Sequence, residues 1–204
     1  MTQYFTMHSD NPQPRLVAQA AEKLRQGALI VYPTDSTYAF GCALSSKNAL
    51  EQMRKLRGIS EKHPLTLVCH NISQAALYSV IENDAFNFMK KYVPGPYTFI
   101  MTATKMVPRP AQGVKRKVVG IRIPDNKIAL ALVEALGEPI LSTTLWFKGE
   151  PEPVSDPHLA VKASFGKIDL VLDTGKGEYI PTTVIDFSQS EPELIRQGKG
   201  EYEL

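Results

Sequence analysis

Hydroxyl and guanidinium side chains recur where the apolar runs of this sequence end. Thr34 and Ser36 follow a run that Pro33 terminates, because proline cannot donate to a sheet ladder. Other polar residues that lie at or beside the end of an apolar run are Arg122 in GIRIP, Ser142, Thr143 and Thr144 in LSTT, Thr182 and Thr183 in PTTVID, and Arg196 in IRQG. If these strand ends face one cleft, hydroxyls and two guanidinium groups form a cradle for phosphate or carboxylate. This chemistry predicts an anionic ligand such as a nucleotide.

Each of these side chains also has an ordinary structural explanation. Serine and threonine are common in strands and turns, and Arg122 has the option of pairing with an acid at the surface. The segment Pro-Thr-Asp-Ser at 33–36 is equally typical of a turn between a strand and a helix. Residue types alone therefore leave the binding and the structural interpretations open.

Familiar catalytic motifs are missing from the chain. There is no glycine-rich phosphate loop ending in Gly-Lys-Ser/Thr, no GxGxxG after the first strand and no nucleophile elbow around a serine. The four histidines, at 8, 63, 70 and 158, have no metal-ligand spacing, so we predict no protein-bound metal. A nucleotide would have to bind through a less common pocket.

Positive charge is concentrated in one segment. Only Asp125 is acidic between residues 105 and 127, whereas the basic residues there are Lys105, Arg109, Lys115, Arg116, Lys117, Arg122 and Lys127. Such a segment favours a polyanion, with Lys115, Arg116 and Lys117 as candidate RNA contacts. A solvated basic loop explains the same pattern.

Composition narrows the class of protein. A chain of 204 residues with 43% hydrophobic content can bury one sizeable core, so we predict a single domain over 1–204. The formal net charge of +2 gives no strong push toward any partner, and Cys42 and Cys69 suit buried thiols in a reducing compartment. No leader, membrane span or exposed apolar face is evident, so we expect a cytoplasmic monomer with no membrane partner.

The spacing of apolar residues predicts alternating helices and strands. Helical periodicity covers 14–26, the stretch from Ser45 or Ser46 through Leu56, 74–80, 84–92, 128–136 and 156–165. Short apolar runs predict strands at 28–32, 65–69, 97–101, 118–122, 140–143, 168–172, 182–187 and 193–196. This order predicts an α/β or α+β domain built on a twisted mixed sheet.

Taken in order, several motifs resemble the YrdC/YciO superfamily, whose best known members are threonylcarbamoyl-adenylate synthases. The motifs are PTDSTYAFG (33–41), HPL (63–65), PGPYT (94–98), GIRIPDN (120–126), LSTT (141–144), TTVID (182–186) and RQG (196–198). The resemblance implies the YrdC-like (DHBP synthase-like) fold, in which helices flank a twisted mixed sheet around a concave, basic crevice.

What the resemblance implies for activity is nucleotide chemistry linked to tRNA modification. Those synthases join threonine, bicarbonate and ATP into threonylcarbamoyl-adenylate and pyrophosphate, with Mg²⁺ bridging the phosphates. By motif, the threonine side would be lined by Thr34, Ser36, His63, Arg122, Ser142 and Thr182. The nucleotide would be faced by Arg57, Thr144 and Arg196.

Two departures from the synthase motifs resemble the YciO branch of the superfamily, whose reaction is less settled than that of the synthases. Synthases carry a Lys-x-Arg pair before HPL, and ungapped alignment puts Arg57 at the lysine and Ile59 at the arginine; a gapped alternative would use Lys55 and Arg57. Synthases also have an asparagine where Trp146 stands, and indole offers one donor and no acceptor. Trp146 either stacks on a base or ribose or fills space.

The leading hypothesis is therefore a synthase-like nucleotide-binding protein with an eroded catalytic motif. Its ligands would be ATP or an adenylate, with threonine and bicarbonate. The alternative is a protein that binds double-stranded RNA or tRNA through the same basic crevice, and a third hypothesis is a carrier that sequesters an adenylate without turnover.

Overall fold

The computed structural model of the chain describes residues 1–113 and 117–202. The strands of this part are β1 (Gln3–Thr6), β2 (Ile30–Tyr32), β3 (Ala39–Ala43), β4 (Thr66–Val68), β5 (Tyr97–Thr102), β6 (Val118–Arg122), β7 (Ile140–Thr144), β8 (Leu170–Asp173), β9 (Thr183–Asp186) and β10 (Glu193–Arg196). The α-helices are α1 (Pro14–Arg25), α2 (Lys47–Arg57), α3 (Ile72–Tyr78), α4 (Asn83–Tyr92), α5 (Lys127–Leu136) and α6 (Pro157–Ala163), and a 3₁₀ turn covers Arg109–Ala111.

All ten described strands belong to one mixed sheet. Their spatial order is β1-β8-β2-β3-β7-β4-β6-β5-β9-β10. The parallel pairs are β1–β8, β2–β8, β4–β6 and β5–β9, and the other neighbours are antiparallel. The predicted mixed α/β class is confirmed.

Helix boundaries follow local chemistry that is visible in the sequence. Pro14 opens α1, where its missing N–H is not needed. The Ser46 hydroxyl accepts from the N–H of Ala49 and so caps the start of α2. The amide oxygen of Asn126 accepts from the N–H of Ala129 and caps the start of α5. Gly137 ends α5 with φ of 81°, a left-handed conformation that glycine adopts without steric cost.

Two strands were not predicted, and one of them corrects the interpretation of the segment after Pro33. This segment connects β2 to the antiparallel β3, so it lies within a hairpin rather than between a strand and a helix. All five residues of β3 are buried, which removes the alternation that marks a half-buried strand. β1 is an exposed edge strand that depends on parallel pairing with β8.

The two faces of the sheet are covered differently. On one face, α1 and α5 pack over buried side chains of β2, β3, β7 and β8, such as Tyr32 and Ile140. On the other face, α2 contributes Met53 to a larger cluster that includes Phe40 and Phe99. No helix in the described ranges is both long and apolar enough to cross a bilayer.

Packing of helices α1 and α5 on the sheet should contribute a large share of the free energy of unfolding. Leu132 of α5 is fully buried, so Leu132→Ala is expected to lower the free energy of unfolding by about 2–5 kcal/mol in a urea titration. Leu159→Ala on α6 is the matched control, because Leu159 is 59% exposed and its loss should change stability by about 0.5 kcal/mol or less. Equal losses for the two variants would contradict this packing.

Candidate functional site

Helices α1 and α5 leave part of their face of the sheet uncovered, and this part forms the floor of a cavity of about 430 Å³. Ser142, Thr66, Gly120 and Ile100 are register neighbours on four adjacent strands, β7, β4, β6 and β5. A Cβ at Gly120 would lie 2.7 Å from Thr66 Oγ1, so only glycine keeps the floor low at this point. The cavity is therefore shaped by small and hydroxyl-bearing residues.

Six of the residues chosen from the sequence line this cavity: Arg57, His63, Ser142, Thr144, Thr182 and Arg196. They come from α2, the loop after it, β7, the approach to β9, and β10. The predicted convergence of strand ends thus occurs for this part of the set. Their roles toward threonine or a nucleotide stay predictions.

Arg196 reaches the cavity through an irregularity in the edge strand. The register of β10 on β9 shifts between Leu194 and Arg196, so Ile195 is an extra residue. A bulge of this kind re-aims the following side chain, and both Ile195 and Arg196 line the cavity. Arg196 donates from Nε and Nη2 to the Thr182 carbonyl, at 3.1 and 2.8 Å. Partial burial and the charge of Arg122 lower its pKa.

Arg57 is the last residue of α2, and its guanidinium lies over the indole of Trp146 with Cζ 4.8 Å from the ring centroid. Its Nε is buried and has no hydrogen-bond partner among the described residues. Burial and the charge of Arg196 lower its pKa. Lys55 and Ile59 do not line the cavity, so Arg57 is the residue of this segment that faces it.

His63 lies at the rim, on a loop that Arg54 organises. The buried guanidinium of Arg54 donates to the carbonyls of Ser60, His63 and Pro110. Burial, followed by the charges of Arg57 and Arg54, lowers the pKa of His63. Arg54 was not among the predicted site residues, although an arginine four residues after Leu50 on the apolar face of α2 is a detectable departure from amphipathic spacing.

Thr34, Ser36 and Arg122 form a separate polar cluster rather than part of the cavity lining. Arg122 Nη2 donates to Thr34 Oγ1 at 2.9 Å and to Ser36 Oγ at 2.8 Å. It also pairs with Asp35 Oδ1 at 2.5 Å, and both side chains are less than a tenth exposed. The other oxygen of Asp35 accepts from the N–H of Asp125. Asp35, which was not among the predicted site residues, thus offsets the charge of Arg122.

A third residue that was not predicted, Lys199, connects the segment around Gly198 to this cluster. Its Nζ donates to the Asp35 carbonyl at 2.7 Å and pairs with Glu178 at 2.6 Å. The segment is seated tightly, because a Cβ at Gly198 would lie 2.3 Å from the Pro181 carbonyl oxygen. Contacts over more than a hundred residues carry no local pattern by which the sequence could reveal them.

The basic segment is only partly described. Lys115 and Arg116 lie outside the described residues, whereas Lys117 is exposed. Arg122 is buried, and Lys127 forms an ion pair with Asp10, in which Nζ lies 3.6 Å from Oδ1. RNA contact by Lys115, Arg116 and Lys117 stays a prediction.

Carboxylates are scarce around the cavity. Among the described residues that line it there is no aspartate or glutamate, and in the same part of the chain no three His, Cys, Asp or Glu side chains converge as metal ligands do. The lining provides hydroxyls, two guanidinium groups and an imidazole. Such a set fits a ligand that brings its own negative charge.

Fold and site together define an α/β protein with a cationic cavity on the part of a mixed sheet that α1 and α5 leave uncovered. The model of the Sua5/YciO/YrdC family, described as telomere recombination, matches residues 22–198. The chain belongs to this family, which confirms the resemblance found in the sequence.

Three relatives illustrate the similarity. YciO of Escherichia coli K12 is 46% identical over 201 residues, covering 98% of each chain, and its crystal structure superimposes with a TM-score of 0.94. A threonylcarbamoyl-AMP synthase of Pyrococcus abyssi is 31% identical over 88% of this chain and 53% of its own length. The crystal structure of P. abyssi Sua5 complexed with L-threonine, 26% identical, gives a TM-score of 0.86 over 97% of this chain and 57% of that one.

The shifted pKa of His63 gives a pH-dependent prediction. Because the folded state favours neutral imidazole, the unfolded chain takes up this proton first, and His63 should make the folded chain less stable as pH falls below about 6.5. An NMR titration of wild type should give a His63 pKa below 6.5, and Arg57→Met should raise it. The spectrum of His63→Asn assigns the resonance, and an identical pKa in wild type and Arg57→Met would contradict the influence of Arg57.

The Arg122–Asp35 pair should behave as a coupled buried pair. Arg122→Met leaves a carboxylate unpaired and should lower the free energy of unfolding by about 3 kcal/mol, and adding Asp35→Asn should recover about 1–2 kcal/mol of that loss. Urea titrations of the four proteins measure the coupling. The control cycle uses Arg25 and Glu22, which are about half exposed and should couple by about 0.5 kcal/mol. Additive losses at Arg122 and Asp35 would show that the pair is not coupled.

Proposed function

We propose that this protein is a nucleotide-binding enzyme of the threonylcarbamoyl-adenylate synthase type. The observation that carries the proposal is the pair of arginines, Arg57 and Arg196, on a cavity whose described lining contains no carboxylate. Each guanidinium is a planar fork of donors that suits phosphate and carboxylate oxygens.

The electrostatics of the cavity favour an anion. Burial, followed by the charge of Arg196, lowers the pKa of Arg57, and burial, followed by the charge of Arg122, lowers the pKa of Arg196. The like charges therefore repel one another in the ligand-free protein. A bound anion would relieve this repulsion. The volume of about 430 Å³ lies within the range of about 300–1,000 Å³ that is usual for small-molecule sites.

Relatives in the family support the choice of reactants. A relative at 31% identity is a threonylcarbamoyl-AMP synthase, and a structural neighbour was crystallised with L-threonine. By this similarity, Ser142 and Thr182 would offer hydroxyls to threonine, and His63, held neutral, would offer one ring N–H at the rim. Thr144, Arg57 and Arg196 would face the nucleotide.

The proposed reaction balances without a further reactant. Threonine and bicarbonate condense through the amine to a carbamate with loss of water. A carbamate oxygen then attacks the α-phosphorus of ATP, a new P–O bond forms, and the bond to the β-phosphate oxygen breaks to release pyrophosphate. Arg57 and Arg196 would stabilise charge on the phosphates as it develops, and the cavity would hold the reactants in line.

Magnesium fits this cavity as part of its substrate. The described lining offers hydroxyls but no carboxylate for a direct protein cage, so the ion would be held by the ATP phosphates and water.

The test is an incubation of the protein with threonine, bicarbonate, Mg-ATP and pyrophosphatase. Release of phosphate and appearance of threonylcarbamoyl-AMP are expected, with neither when threonine is omitted. Arg196→Met should lower the rate at least about tenfold through loss of charge stabilisation, whereas Arg25→Met, on α1 away from the cavity, should leave it unchanged. Absence of both products beside an active synthase would refute the proposed reaction.

A further inference from the structure

Arg57 and Trp146 form a cation–π contact at the edge of the cavity. The guanidinium carbon lies 4.8 Å from the indole centroid, within the range of about 6 Å for cation–π attraction. The indole N–H donates to the Glu150 carbonyl at 2.8 Å, which holds the ring's orientation. The turn that carries the ring is itself anchored by two backbone hydrogen bonds. The N–H of Leu145 donates to the carbonyl of Tyr38, and the N–H of Val154 donates to the carbonyl of Leu145.

The other contacts of Arg57 explain why this ring matters. Within residues 1–113 and 117–202 no carboxylate forms an ion pair with Arg57, and its buried Nε has no hydrogen-bond partner there. Burial and Arg196 both disfavour its charge. The face of the indole is therefore the attractive contact observed for this cation, and it brings no negative charge to the guanidinium.

From this geometry we infer that Trp146 is a positioning residue, which holds Arg57 as a preoriented ligand for a phosphate-type anion in the cavity. The inference rests on the proposed function for the identity of that anion, the pyrophosphate part of a nucleotide. It assigns Trp146 neither to stacking on a base nor to simple filling of space. It also makes Arg57 a planar, two-donor ligand that lysine cannot replace.

Inorganic pyrophosphate is the probe, and its affinity is measured by calorimetry for wild type, Trp146→Leu, Trp146→Phe, Arg57→Met and the double variant Trp146→Leu/Arg57→Met. Trp146→Leu should weaken binding about fivefold, which is the size of a half-buried cation–π contact, and Trp146→Phe should recover part of the loss. The double variant should bind no more weakly than Arg57→Met alone. Arg25→Met is the control and should match wild type.

Fluorescence supplies a second readout, because Trp146 is the single tryptophan of the chain. Pyrophosphate should change the emission of wild type and have no effect on that of Arg57→Met. Thermal melts of both Trp146 variants identify any general loss of folding, and Trp146→Phe keeps the test valid if the leucine variant unfolds.

The outcomes separate the inference from the proposed function. Wild-type affinity in a folded Trp146→Leu, additive losses in the double variant, or calorimetric binding without an emission change would each overturn the inference even if adenylate is made. Weakened pyrophosphate binding together with the coupled loss would support it even if no adenylate is made. A wild type that binds no pyrophosphate would overturn the inference directly.

Discussion

Helices α1 and α5 cover only part of one face of a ten-stranded sheet, and the site follows from that limit. Under the helices, β7 presents the apolar Ile140, whereas two residues further on the same face it presents Ser142, which lines the cavity. Gly120 and Thr66 continue this uncovered floor on the neighbouring strands. The change from apolar to hydroxyl side chains along one face of one strand thus marks where packing ends and the cavity begins.

The same constraint divides the cations into two kinds. Arg122 lies at the end of β6 beside Asp35, and the almost fully buried carboxylate of Asp35 offsets its charge. Arg57 and Arg196 lie around the open floor, where the described lining provides no such acid. Arg57 is half-buried and Arg196 is exposed, so water solvates these two charges better than it does that of Arg122.

Sequence patterns predicted most elements and the general location of the cavity, because periodicity, caps and strand ends are local features. Ser142, Thr182 and Arg196 could be selected since each lies at or beside a strand end. The hairpin strand β3 was missed because burial on both faces hides its alternation. Arg54, Asp35 and Lys199 depend on contacts with distant segments, and the bulge at Ile195 is visible only as a register shift.

Comparison of Arg122 with Arg57 shows why the partner that fixes a cation determines what the cation can do. A carboxylate such as Asp35 orients Arg122 through its donor edge and offsets its charge at the same time. The indole of Trp146 lies beside the guanidinium of Arg57 instead, with Cζ over the ring, and it restricts the guanidinium without bringing a negative charge to it. A tryptophan has one donor and no acceptor, so it is a poor direct ligand for a phosphate, yet its ring face is well suited to hold an arginine. The residue that departs from the synthase pattern at position 146 is thereby compatible with anion binding in the same cavity.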